Sequence, residues 1–69
     1  MKVSTRNQLK GTVVAVTLGN VMATIELDIA GQRVVSAVTR ESAEELGLKP
    51  GDDAVALVKA TSVMVGKPD

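Results

Sequence analysis

The sequence predicts an all-β fold: a small five-stranded barrel of the oligomer-binding type, with one short helix between strands three and four. Three observations predict it. Successive stretches alternate apolar with polar residues or run in valine and alanine, as half-buried and buried strands do. The period changes once, after the third stretch, to that of a helix. Glycine, asparagine and proline turn signals separate the stretches. The chain of 69 residues allows one domain, residues 1–69.

Leu9 to Leu18 reads as the first strand, with Gly11 placed for a bend or bulge. Gly19 and Asn20 form a turn. Val21 to Ile29 alternates, with Val21, Ala23, Ile25, Leu27 and Ile29 on one face and Met22, Thr24, Glu26 and Asp28 on the other. Ala30 to Gln32 is a short hairpin turn leading into a third strand, Arg33 to Val38. Arg40 to Leu46 reads as a helix of two turns with Ala43 and Leu46 as its apolar stripe. Thr39 is a candidate N-cap, and Ser42 to Glu45 also has the S-x-x-E form of a capping box. Gly47 suits the left-handed position after the helix, with Leu48 packing back. Lys49 to Asp52 is a turn. Asp53 to Ala60 is the fourth strand, apolar on both faces, and Ser62 to Val65 a short fifth, before a tail at residues 66–69.

A domain this small buries little of its surface and usually needs a staple. The chain has no cysteine, histidine or aromatic residue, so disulfides, the commonest zinc ligands and base-stacking platforms are all missing. Twelve valines and a 45% apolar composition point instead to self-association. Eight basic and eight acidic residues cancel, which argues against nucleic-acid binding. No apolar run reaches the length of a membrane span and no signal peptide opens the chain, so the expectation is a cytoplasmic protein with no membrane partner.

Catalysis has little raw material. Without histidine or cysteine, Ser4, Ser36, Ser42 and Ser62 lack an evident activating base, and the glycines are isolated rather than gathered in a phosphate loop. The expectation is a protein that is not an enzyme. Asp52 and Asp53 are the one adjacent aspartate pair, read as a solvated turn rather than a cation site. Anion binding is better supplied. Ser4, Thr5, Arg6, Asn7 and Gln8 crowd hydrogen-bond donors into five consecutive positions. Thr39 and Ser42 flank the helix start, where they serve either as caps or as anion donors. Lys59 sits between Val58 and Ala60 and reads either as an outward strand lysine or as a charge neutralised by a nearby group.

The segments S-T-R-N-Q-L-K-G at Ser4 to Gly11, V-T-R-E-S-A-E-E-L-G-L-K-P-G-D at Val38 to Asp52 and K-A-T-S-V-M at Lys59 to Met64 closely resemble the molbindins. These are small molybdenum-pterin-binding-type proteins built on the Mop or TOBE module. Thr5 stands where the family has alanine. The resemblance implies a five-stranded barrel assembled into a homohexamer, a trimer of dimers, that binds molybdate and tungstate at subunit interfaces. It also implies the site: Ser4, Arg6 and Lys59 from one subunit, with Thr39 and Ser42 from its partner together with backbone groups at Ala60. The function it implies is storage or homeostasis of the oxyanion. The alternative is a molybdate-responsive regulatory module acting on another protein. A pterin carrier is a third reading, disfavoured because the chain offers no aromatic ring for stacking.

Overall fold

In the computed structural model, which describes all of residues 1–69, the element order is β1 (Asn7–Leu18), β2 (Met22–Ile29), β3 (Gln32–Thr39), α1 (Arg40–Leu46) and β4 (Asp53–Val58), followed by a 3-10 turn at Ala60–Ser62. The strands make one antiparallel sheet in the order β3-β2-β1-β4. β1 changes partner along its length: Asn7 to Thr12 pair with β4, and Thr12 to Leu18 pair with β2. Next to this handover the register slips between Val13 and Ala15, a bulge that leaves Val14 unpaired and sharpens the twist.

The bend is therefore at Val14, not at Gly11 as the sequence suggested. Gly11 is required for a different reason. A Cβ there would lie 2.5 Å from the Asp28 carbonyl oxygen and 2.7 Å from Ile29 Cγ1, so the end of β2 crosses β1 too closely for any side chain. The β2–β3 hairpin closes on the Ile29–Gln32 pair through Ala30 and Gly31, whose φ angles are 52° and 85°. Two positive φ values in a two-residue loop mark the turn whose twist matches the flanking strands. Asp28 Oδ1 accepts from the Gly31 N–H at 2.8 Å and holds it.

Alternation along β2 builds the core. Ala23, Ile25 and Leu27 are buried with Val13 of β1 and Ala43 of α1, and Val16, Ile29, Val38, Leu48, Ala54 and Ala56 pack around them. Val21, predicted for the same face, precedes the strand and is exposed. α1 spans the predicted residues and lies over β2 and β3. Its cap is Thr39, whose Oγ1 accepts from the Ser42 N–H, so the alternative capping box starting at Ser42 is not the one used. Gly47 takes φ 62° and its N–H donates to the Ala43 carbonyl. Leu46 points mostly to solvent, and Leu48 takes the place expected of it against the core.

The fifth strand and the closed barrel are corrected. The sheet has four strands and is open. β4 stops at Val58, two residues early, because Lys59 to Val63 close a tight turn: Ser62 N–H donates to the Lys59 carbonyl at 2.9 Å and Val63 N–H to the Ala60 carbonyl at 3.3 Å. Beyond it, Ser62 to Val65 meets no strand edge, and Met64 and Val65 are each 94% exposed. A β-prone segment becomes a strand only by pairing with an edge, and this one pairs with neither free edge of the open sheet, β3 or β4.

Candidate functional site

Strand register assembles the site. The last ladder pair between β1 and β4 is Asn7 with Val58. The residues just before β1 and just after β4 therefore leave the sheet side by side. Ser4, Thr5 and Arg6 precede the one strand, and Lys59, Ala60 and Thr61 follow the other. These six residues line one depression of about 360 Å³.

Its chemistry is one-sided. Arg6 and Lys59 bring two positive charges, and Ser4, Thr5 and Thr61 bring three hydroxyls; no carboxylate lines the depression. Neither cation has a partner, since the single ion pair of the molecule joins Arg40 and Glu44 elsewhere. Two side-chain amides hold the frame. Asn7 Nδ2 donates to the Val58 carbonyl at 3.1 Å, and Gln8 Nε2 donates to the Thr5 carbonyl at 2.9 Å. Such a set of charged and neutral donors can hold an oxyanion. Thr61 was missed by reading the sequence alone. What finds it is the pairing of Asn7 with Val58, which brings the end of β4 and the turn after it beside the residues before β1, and Thr61 into the same depression as Ser4.

Thr39 and Ser42 are not part of this group. Thr39 Oγ1 accepts from the Ser42 N–H at 3.1 Å and donates to Ser42 Oγ at 2.8 Å. Thr39 lines a different depression with Asn20, Val21, Arg40, Glu41 and Glu44. That depression lies at the opposite end of β1: Thr39 pairs with Met22, and its neighbour Ala23 pairs with Leu18, the last residue of a strand that begins at Asn7. A strand of 12 residues runs on the order of 40 Å along its path, at about 3.3 Å per residue. One copy of the chain thus brings together Ser4, Arg6, Lys59 and Ala60 but keeps Thr39 and Ser42 apart from them. The Asp52 carboxylate is taken up by its turn, accepting from the Lys49 N–H at 2.9 Å.

Comparison with known proteins gives a consistent set of relatives. Residues 3–65 match the TOBE domain. The chain is 51% identical over 67 residues to a probable molybdenum-pterin-binding protein of Haemophilus influenzae, across 96% of this chain and 97% of that protein. It superposes with a TM-score of 0.91 on a molybdate-binding protein from Sporomusa ovata, 48% identical across 97% of this chain and 100% of that one. It superposes with a TM-score of 0.89 on the cytoplasmic molybdate-binding protein ModG with molybdate bound, 43% identical across 99% of this chain and 49% of that one.

Proposed function

The chain belongs to the TOBE domain family, and on that premise we propose that it binds molybdate, and tungstate with it, as a storage or homeostasis protein without catalytic activity. The observation that carries this reading is the pair of cations, Arg6 and Lys59, set in one depression with three hydroxyls and no acid. Molybdate at neutral pH is a dianion that only accepts hydrogen bonds. Desolvating it is costly unless positive charges and donors replace its water, and Arg6 and Lys59 supply two such charges. Hydroxyls turn to donate, and the backbone at Ala60 completes the set.

Thr39 and Ser42 enter from a second copy. Their distance from Arg6 within one chain supports a site shared between subunits, and so does the surface: only five residues are buried, while Val3, Val63, Met64 and Val65 are 40% to 94% exposed beside the site. Apolar surface of this kind favours association. The assembly is a homohexamer, a trimer of dimers, of this one domain spanning residues 1–69. Anion binding at a shared site then stabilises the oligomer by mass action. The protein works in the cytoplasm, as its neighbour ModG does. No helix of the chain is long and apolar enough to cross a membrane.

Isothermal titration with molybdate, tungstate, sulfate and phosphate tests the proposal. Binding of the first two in preference to the others is expected. Heat with sulfate or phosphate and none with molybdate overturns it.

A further inference from the structure

We infer that Asn7 is a positioning residue for the anion site, a clasp that sets the distance between its two halves and thereby its selectivity. The inference rests on the site proposed above. Both halves leave the sheet at the same point. Arg6 and Ser4 lie outside β1, Lys59 and Ala60 lie outside β4, and no ladder pair lies beyond Asn7 and Val58. The Lys59 to Val63 turn is closed by its own backbone bonds, which tie Lys59 and Ala60 into one turn. The side-chain link between the two halves is the Asn7 amide, which reaches across 51 positions of sequence to the carbonyl of Val58, the residue preceding Lys59. Gln8 completes the frame on the other side by donating to the carbonyl of Thr5, a residue that lines the depression.

The two amides do more than brace. An anion site has to be free of bare acceptors, because each one repels the ligand. The carbonyls of Val58 and Thr5 are the acceptors next to Lys59 and Arg6, and each already takes an amide N–H. Losing the Asn7 donor frees the Val58 carbonyl and loosens the hold of the Lys59 half on the Arg6 half. Oxyanions of equal charge differ mainly in radius, so a slackened frame loses discrimination as well as affinity.

The test compares wild type, Asn7→Leu, which keeps the size and removes the donor, and Asn7→Gln, which keeps an amide. Each is titrated with molybdate and with sulfate. Asn7→Leu is expected to lose about fivefold to tenfold in molybdate affinity, the worth of one hydrogen bond. It is also expected to lower the molybdate-to-sulfate ratio, and Asn7→Gln to recover part of both. A loss that weakens both anions alike and leaves the ratio in place is a general loss of stability, and it overturns the clasp. In the wild-type protein the Asn7 side-chain amide protons, followed by NMR, are expected to exchange slowly with water and to shift when molybdate is added. This measurement stands even where Asn7→Leu fails to fold. Wild-type affinity and ratio in a folded Asn7→Leu overturn the clasp, and so do fast-exchanging amide protons indifferent to molybdate. Failure of the wild-type protein to take molybdate at all is a different result and overturns the site itself.

Discussion

Arg6 and Arg40 each stand among hydroxyls, and the molecule uses them in opposite ways. Arg40 is satisfied where it stands: its Nε meets Glu44 Oε1 at 2.6 Å and its Nη1 donates to the Gly19 carbonyl at 3.2 Å. The Thr39 and Ser42 hydroxyls beside it bond each other. Arg6 has no such partner, and the cation set beside it, Lys59, has none either. Within one chain the helix start thus turns its side-chain donors to holding the fold, while the β1–β4 end leaves two charges without an internal partner. Proximity of a guanidinium to hydroxyls does not separate the cases. A nearby acceptor does: Glu44 is four residues after Arg40, and no acid lies within four positions of Arg6 or Lys59.

The comparison can be broken at either end. The largest effect is expected at the unpartnered end. Arg6→Ala removes hydrogen bonds to a charged ligand and weakens molybdate binding by about 1.5–3 kcal/mol. Titration of the variant checks this, and an unchanged affinity contradicts the role given to Arg6. At the satisfied end, Arg40→Ala removes a half-exposed pair of i,i+4 type, costing about 0.5 kcal/mol of stability in chemical denaturation and leaving molybdate affinity as it was. If Arg40→Ala weakens the ligand as much as Arg6→Ala does, the contrast between the two ends is wrong.

Much of this was legible in the sequence, and the pattern of what was not is instructive. The span of α1, its Thr39 cap and the left-handed Gly47 are local matters, decided within a few residues, and the sequence shows them directly. The alternation that buries Ala23, Ile25 and Leu27 is also local. The fifth strand was misread because Ser62 to Val65 carries β-prone residues whatever edge they meet, and pairing depends on residues far along the chain. The bulge at Val14 was missed because β1 hands over from β4 to β2 there, and no turn residue marks the place. Gly11 was singled out correctly but for a bend, when the cause is a close crossing by Asp28 and Ile29.

For the site, residue chemistry pointed to Ser4, Arg6 and Lys59 as donors, and the family resemblance added Ala60 to them. The register of Asn7 with Val58 explains why segments more than fifty residues apart line one depression. Thr61 needed that register to be seen. Thr39 and Ser42 read equally well as caps, and within one chain that is the work they do.

The central claim is that these two groups form one site only between copies. Complementation tests it directly. Arg6→Ala and Thr39→Ala subunits are each titrated with molybdate, then unfolded together, refolded as a mixture and titrated again. In a mixed pair, one interface combines the intact Arg6 of one subunit with the intact Thr39 of the other, so tight molybdate binding is predicted to return at a fraction of the sites. A mixture that binds only as weakly as the two variants do separately would contradict a site shared between subunits.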